Sequence, residues 1–150
     1  MSVDSSRIYH RTLSAMHTRM DVVTWNINPT EFEKLIHLIT QELDRLDLLL
    51  NRHRTDSYLA QLNAAVEKVD YLDEELFDLF KVCQDYRKLL FNNFDIAFLT
   101  ESNTLDKSHD LSKNKDYKLE ESTRTLHKAI KTQQFDFGGI GKGYALDKIL

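Results

Sequence analysis

The sequence predicts an α+β fold in which antiparallel strands accompany two long helices. Three observations indicate this class. A β-branched, strand-like stretch lies near the start, two amphipathic segments with helical spacing follow it, and short extended segments come towards the C-terminal end. The chain has 150 residues, of which 41% are apolar, so it can bury a hydrophobic core of its own. We therefore expect a single domain over residues 1–150.

The first predicted elements are two strands and a long helix. Residues 8–15 and 19–27 have the composition of strands, and Asn26 to Pro29 ends the second one. Thr30 offers an N-cap that Glu33 completes as a capping box, so we predict a helix over 31–51. Its apolar residues recur at helical spacing: Phe32, Leu35, Ile36, Ile39, Leu43, Leu46 and Leu50.

A second group of helices is predicted from its capping residues. Ser57 can cap a short helix over 58–65, and 69–72 is a brief extended link. Asp73 can cap a second long helix over 74–91. We expect Cys83 to be an inert thiol on its buried face. The predicted apolar face consists of Leu76, Phe80, Cys83 and Leu90, with Leu79 and Tyr86 beside it.

The C-terminal third begins with a polar tract over 101–116, which we interpret as a surface loop within the domain. Strands are predicted over 117–121, 125–131 and 134–137, followed by a helix that begins at Tyr144. That helical pattern stops at Leu150 without a capping signal. We therefore expect the domain to be incomplete, with further chain after it.

Charge and composition exclude several functional classes. The 20 basic residues are interspersed with 24 acidic ones and the net charge is −4, so nucleic acid is not expected as a partner. A single cysteine excludes a disulfide framework and a Cys-based zinc site, and the six histidines lack zinc-site spacing. No apolar run has the length of a membrane span, and no signal sequence is visible, so we expect a cytoplasmic protein.

All four glycines lie in one segment, Phe135-Asp-Phe-Gly-Gly-Ile-Gly-Lys-Gly-Tyr144. Glycine serves where the backbone takes positive φ or where another group approaches closely. The order strand, glycines, lysine, helix is typical of phosphate-binding turns. The segment is neither a Walker A loop, because Gly143 follows Lys142, nor a dinucleotide fingerprint. From the residues alone, a phosphate- or metal-phosphate-binding turn and a tightly packed strand-to-helix turn are equally open.

The segment from Phe135 to Asp147, FDFGGIGKGYALD, resembles the signature of the ApbE family, the FAD:protein FMN transferases, in which I-A-K-G-Y-A-x-D recurs. Three other blocks agree, in the family's order. Ala15–Thr18 resembles A-M-G-T, and Asn92–Asp95 resembles G-A-F-D. Leu46-Asp47, Asn51–Ser57 and Leu62-Asn63 together resemble the family's L-D-x-x-x-S-x-Y-x-x-D-S…L-N block.

This resemblance implies the N-terminal half of an ApbE-like fold. It implies Mg²⁺-dependent transfer of FMN from FAD to a Thr or Ser hydroxyl of a target flavoprotein. The carbonyl of Gly139 would bind Mg²⁺, and the catalytic residues are unknown. Many members of the family are periplasmic or membrane-anchored. The positions that would contact FAD are Met16, His53, Asn93, Phe94, Asp95 and Lys142.

The chain departs from the family in three blocks and in length. His17 replaces a glycine, Asn92-Asn93 replaces Gly-Ala, and His53 replaces the tyrosine of the flavin-facing loop. The family's chain is about twice as long, and its second half supplies acidic and threonine metal ligands. Two alternatives therefore stay open: a non-catalytic flavin-binding protein, and a structural or interaction module of the same fold. A lone half-domain leaves apolar surface uncovered, so we also expect self-association if these 150 residues are the whole protein.

Overall fold

The computed structural model describes residues 7–99 and 116–150. These residues form an α+β arrangement in which every strand pair is antiparallel, as predicted. Contacts between Cα atoms divide the chain into two compact units, Met1–Leu48 with Ile140–Leu150, and Leu49–Gly139. The elements are β1 (Ile8–Ala15), β2 (Thr18–Trp25), α1 (Pro29–Leu50), α2 (Tyr58–Ala64), β3 (Lys68–Val69), α3 (Glu74–Leu89), β4 (Ala97–Leu99), β5 (Lys118–Glu120), β6 (Thr125–His127), β7 (Gln133–Phe135) and α4 (Gly141–Ile149).

The first unit opens with a hairpin of β1 and β2, paired from Ile8 opposite Trp25 to Ala15 opposite Thr18. Exposure alternates along both strands, because successive side chains of a strand point to opposite faces. The two strand predictions are confirmed. The two-residue turn consists of Met16 and His17, with φ values of 49° and 57°. Both residues therefore adopt the left-handed conformation that two-residue hairpin turns require.

Helix α1 confirms the long predicted helix, but its predicted cap is wrong. The Asn28 side chain accepts a hydrogen bond from the Glu31 N–H at 2.9 Å. The Glu31 carboxylate in turn accepts one from the Asn28 N–H at 3.0 Å. The capping box is therefore Asn28/Glu31 rather than Thr30/Glu33. Pro29 explains the earlier start, since the first helical residue needs no N–H donor.

The core of the second unit is built around Phe80 of α3, which is fully buried. Its ring packs edge-on against Tyr117, Phe135 and Phe137, with centroid distances of 5.4, 5.0 and 5.1 Å. Edge-to-face contacts at this separation suit the opposite charges of ring edges and ring faces. The aromatic cluster therefore joins α3 to β7 and to the residues that lead into the glycine segment.

The capping predictions for α2 and α3 are confirmed. The Ser57 hydroxyl accepts from the Ala60 N–H at 3.0 Å, and the Asp73 carboxylate accepts from the Leu76 N–H at 3.1 Å. The predicted apolar face of α3 is wrong at its C-terminal end. Tyr86 and Leu90 are 45% and 46% exposed, and Leu90 is the C-cap because the helix already ends at Leu89. The buried residues of this helix are Leu76, Phe77, Leu79, Phe80 and Cys83.

Two small sheets complete the second unit, one in the order β3-β6-β5 and the other pairing β4 with β7. The predicted hairpin of strands is confirmed as β5 and β6, although β6 ends at His127 instead of continuing to residue 131. Of the predicted polar tract, residues 101–115 lie outside the described residues. In the part of the chain that the structure describes, no helix is long and apolar enough to cross a membrane.

Helix α4 begins at Gly141, inside the glycine segment, instead of at Tyr144 as predicted. No described glycine has a positive φ angle, so of the two general reasons for glycine, positive φ does not apply here. Close packing is the better explanation for two of them. A Cβ atom at Gly138 would lie 3.0 Å from Asp136 Oδ1, and one at Gly139 would lie 3.4 Å from Phe94 Cε2.

Candidate functional site

Two of the signature-like blocks meet in the second unit. Phe135 pairs with Ala97 across β4 and β7, and the Asp136 N–H donates to the Ile96 carbonyl at 2.9 Å. This pairing brings the residues before β4 next to the residues after β7. The ring of Phe94 consequently lies beside Gly139, where an added Cβ atom would reach van der Waals contact with it. Phe94 is half-buried and Gly139 is exposed, so the contact lies at the surface.

Asp95 is held by its own strand and by α3. Its Oδ1 accepts a hydrogen bond from the Ala97 N–H at 2.9 Å. Its Oδ2 lies 3.4 Å from Arg87 Nε, and the two side chains are only 14% and 19% exposed. Arg87 also donates to Asp116 at 2.7 Å. The half-buried Asp95 charge is therefore balanced by Arg87, and the carboxylate has a fixed position.

Arg52 and Asp136 form a second ion pair close to the glycines. Arg52 Nε lies 3.0 Å from Asp136 Oδ2, and the Arg52 guanidinium stacks over the Phe98 ring at 5.0 Å. Asp136 Oδ1 accepts from the Gly138 N–H at 2.7 Å. The carboxylate thus joins the loop after α1 to the turn formed by Gly138 and Gly139, here called the glycine turn. The hydrogen bond from the Gly138 N–H to this carboxylate is charge-assisted and therefore stronger than a neutral one, so it stabilises the turn at Gly138.

The remaining predicted site residues lie on exposed or half-buried loop positions. Asn93 is exposed, and its N–H donates to the Leu90 carbonyl at 2.9 Å. His53 is exposed next to Arg52, and its N–H donates to Asn51 Oδ1 at 2.9 Å. The structure thus brings Phe94 and Gly139 together, with Asn93 and Asp95 adjacent along the chain.

Met16 and Lys142 belong to the first unit and are described there. Met16 is half-buried in the turn between β1 and β2. Lys142 is exposed in the first turn of α4, a helix that has no side-chain cap. The N-terminal end of a helix carries partial positive charge, and Lys142 adds a full charge to it. This arrangement favours an anion at the start of α4.

Sequence reasoning did not assign Arg52, Arg87 or Asp136 to the site. Arg52 and Asp136 both lie inside blocks that resemble the family's motifs, and Arg87 precedes the Asn92–Asp95 block. A charged side chain inside or just before a family-like block was the signal that could have pointed to these three residues. The partner of Arg52 could not be identified because Asp136 is far away in the sequence, and their pairing follows only from the tertiary packing.

Cys83 takes no part in this chemistry. It is 1% exposed, and burial, with a smaller contribution from the Asp95 charge, raises the pKa of its thiol to about 12. A thiol with such a pKa is neutral at physiological pH and is a poor nucleophile. The geometry therefore supports its predicted role as a core residue.

No preformed metal cluster is found in residues 7–99 and 116–150, where no three His, Cys, Asp or Glu side chains converge. Mg²⁺ often binds with few protein ligands and keeps water and substrate phosphates in its shell. The exposed Gly139 is compatible with such a contact through its backbone carbonyl. The described residues thus fit a metal that arrives with a phosphate ligand.

Known structures share this fold. The flavin transferase ApbE from Vibrio cholerae superposes with a TM-score of 0.77 at 16% identity, over 95% of this chain and 52% of that one. The ApbE protein from Thermotoga maritima superposes with a TM-score of 0.74 at 20% identity, over 95% of this chain and 51% of that one. The apo form of the flavinyl transferase ApbE from Pseudomonas stutzeri superposes with a TM-score of 0.75 at 18% identity, over 99% of this chain and 55% of that one.

These likenesses confirm the predicted ApbE-like fold, and the chain spans about half the length of the solved structures it matches. A comparison with curated protein sequences gives no match. The model of the ApbE family matches residues 16–150, which include all four blocks except the first residue of the Ala15–Thr18 block. Because this match extends over most of the sequence, the chain belongs to the ApbE family.

Proposed function

We propose that this chain is the N-terminal part of an FAD:protein FMN transferase, which transfers FMN from FAD to a Thr or Ser hydroxyl of a target flavoprotein in a Mg²⁺-dependent reaction. Membership of the ApbE family supports flavin transfer as the general activity. The observation that carries the proposal is the proximity of the Phe94 ring to Gly139. It joins an aromatic, half-buried surface to an exposed glycine turn, which suits a ligand with a ring at one end and phosphates at the other.

The proposed roles follow the two ends of FAD. Asn93, Phe94 and Asp95 would line the FAD pocket, and Asp95 is already fixed by Ala97 and Arg87. Met16 would contact the flavin, and His53 could stack on it. Lys142 would reach FAD from the start of α4, where its charge and the helix dipole both favour an anion. No residue is assigned a covalent catalytic role.

Magnesium would be held mainly by its substrate. The Gly139 carbonyl is the proposed protein ligand, with phosphate oxygens and water completing an octahedral shell. When bound, the ion would neutralise phosphate charge during transfer, which is the main requirement of phosphoryl chemistry. The ion pair of Arg52 with Asp136 holds the turn on which Gly139 lies.

Several parts of this proposal concern the whole protein. The chain spans about half of the solved relatives, so a second half that completes the metal site is part of the proposal. We also propose that the chain self-associates if no further segment covers its apolar surface, since the apolar side chains of Leu89 and Phe91 are 68% and 87% exposed. A cytoplasmic location and a single domain over residues 1–150 remain predictions.

The competing proposal is a protein of the same fold that binds flavin without transferring it, or that has lost the ligand altogether. It is favoured by the polar residues Asn92 and Asn93 at positions where the family has Gly-Ala. Larger and more polar side chains there would reduce the space for a flavin ring.

Two measurements separate these functions. Titration with FAD should quench the fluorescence of Trp25 or the tyrosines, and Lys142→Ala should weaken FAD binding whereas Lys148→Ala, at the other end of α4, should not. Incubation with FAD, Mg²⁺ and a threonine-bearing target peptide should give a covalent FMN adduct by mass spectrometry. Binding without adduct formation would support the non-catalytic protein. No binding at millimolar FAD would leave only the structural module.

A further inference from the structure

The side chain of Arg52 is held in a defined orientation by two different contacts. Its guanidinium stacks over Phe98 at 5.0 Å, which restrains the plane of the group. Its Nε lies 3.0 Å from Asp136 Oδ2, which restrains one corner. An arginine is usually a flexible side chain, and these two contacts reduce the conformational entropy that a bound ligand would otherwise remove.

The hydrogen-bonding capacity of Arg52 is not used up by these contacts. Its Nε is buried and has no hydrogen-bond partner, because the N–H is not directed at the nearby Asp136 oxygen. Among the described residues, no second carboxylate pairs with this guanidinium. The side chain is nevertheless 32% exposed, so solvent or a ligand can reach it. A buried N–H without a partner costs free energy in the free protein. A small movement of the guanidinium towards a ligand that contacts its exposed part would allow this N–H to be satisfied.

The position of Arg52 relates it to the glycine turn. The Asp136 carboxylate that it contacts also accepts the Gly138 N–H at 2.7 Å. Gly138 and Gly139 are both exposed, and Gly139 is the proposed metal-phosphate contact. Asp136 offers Arg52 a single negative charge, whereas a pyrophosphate offers more than one. A planar guanidinium matches phosphate oxygens in a bidentate geometry, which a lysine cannot provide.

We infer that Arg52 is a phosphate-binding residue of this site and contacts the pyrophosphate of the flavin dinucleotide. This inference rests on the proposed function, which it extends by a specific residue. Arg52 positions Asp136 and the glycine turn in the free protein. In the bound state it also donates hydrogen bonds to the anion, while the Phe98 ring keeps the guanidinium plane in place.

The test compares ligands with and without the pyrophosphate. Dissociation constants for FAD, ADP and riboflavin are measured by calorimetry for the wild-type chain and for Arg52→Met, which removes the charge and keeps much of the stem. We expect affinity for FAD and ADP to fall at least about tenfold, as for loss of a charged hydrogen bond. Affinity for riboflavin, which has no phosphate, should change less than about twofold.

Two further variants make the result specific. Arg54→Met is the matched control, because Arg54 lies in the same loop and pairs with Asp56 at 2.7 Å. It should leave all three affinities unchanged. Arg52→Lys should recover part of the FAD affinity, since it restores the charge without the planar fork. The dependence of FAD affinity on NaCl concentration should also be weaker in Arg52→Met than in the wild type.

The outcomes distinguish the inference from the function on which it rests. If the wild-type chain binds FAD and Arg52→Met binds it equally well, Arg52 does not contact the phosphates, although the proposed function stands. If Arg52→Met lost affinity for riboflavin and FAD equally, and the salt dependence of FAD affinity were unchanged, Arg52 would have a structural role only. A wild-type chain that binds none of the three ligands would overturn the proposed function together with the inference.

Discussion

The Asn63 side chain forms two hydrogen bonds with the backbone of Phe135. Asn63 Nδ2 donates to the Phe135 carbonyl at 2.9 Å, and the Phe135 N–H donates to Asn63 Oδ1 at 2.8 Å. In an antiparallel strand the N–H and C=O of one residue point to the same side. Both groups of Phe135 therefore point away from β4, and Asn63 takes the place of a neighbouring strand along this edge of β7.

Replacing Asn63 should destabilise the second unit. In Asn63→Ala, the N–H and C=O of the fully buried Phe135 lose their partners. We expect the free energy of unfolding to fall by about 2 kcal/mol, since each buried backbone group left unsatisfied is costly. Urea denaturation measures the change. Gln61→Ala is the control, because Gln61 lies on the same helix and makes an exposed bond to the Asp56 carbonyl. Equal effects of the two variants would contradict this role for Asn63.

Alanine should have opposite effects at two of the glycines. Gly143 lies inside α4 and has open space around its Cβ position, so Gly143→Ala should raise stability by about 0.5–1 kcal/mol. At Gly138 an added Cβ would lie 3.0 Å from Asp136 Oδ1. Gly138→Ala should therefore lower stability by about 1 kcal/mol, because overpacking displaces the carboxylate from the Gly138 N–H. Thermal unfolding of both variants checks the signs, and a stabilising Gly138→Ala would disprove the crowding.

The turn between β1 and β2 should be improved by glycine. His17 has a φ of 57°, a conformation that costs a non-glycine residue about 1 kcal/mol. His17→Gly should thus raise the unfolding midpoint. Ser14→Gly, within β1, should lower it, since glycine weakens an extended strand. If both variants were destabilising, the turn would not be strained.

The buried thiol should make stability fall at high pH. Burial raises the pKa of Cys83 in the folded chain to about 12, above its ordinary value of 9.0. Between these values the unfolded chain loses the thiol proton and the folded chain keeps it, so stability decreases as pH rises. The contribution is complete below pH 9 and is lost as pH approaches 12.

Urea denaturation of the wild type and of Cys83→Ala between pH 8 and about 10.5 isolates this contribution. The difference in unfolding free energy between the two proteins should shrink above the ordinary thiol pKa. The comparison removes most of the contribution of Tyr117, whose pKa is raised mainly by burial and to a smaller extent by the Cys83 charge. A constant difference across the range would show that the thiol ionises equally in both states. Alkylation of Cys83 by iodoacetamide should also require unfolding.

Local patterns in the sequence were sufficient for much of the fold. The apolar spacing of α1 depends only on which residues share one helix face, and Leu43, Leu46 and Leu50 are buried as expected. Ser57 and Asp73 cap their helices because a capping side chain reaches N–H groups only a few residues away. The prediction failed at Thr30, where Asn28 and Pro29 offered a competing start.

Within the candidate site, the sequence supplied the family blocks but not their contacts. The match to the ApbE family confirms the resemblance, and the individual roles of Met16, His53 and Lys142 remain predictions. The pairing of Phe94 with Gly139 could be expected only once β4 and β7 were known to be neighbours. Composition could not decide between positive φ and close approach as the reason for the glycines, and the structure shows that none of the described glycines has a positive φ.

The sequence by itself determined the fold class, the main helices and strands, and the family, because these depend on short-range periodicity and on ordered motifs. Only the tertiary structure decided that Arg52 meets Asp136 and that Asn63 completes the edge of β7. Each of these pairs joins residues separated by 72 or more positions. Such contacts depend on how distant elements pack, and side-chain chemistry within a single segment does not specify them.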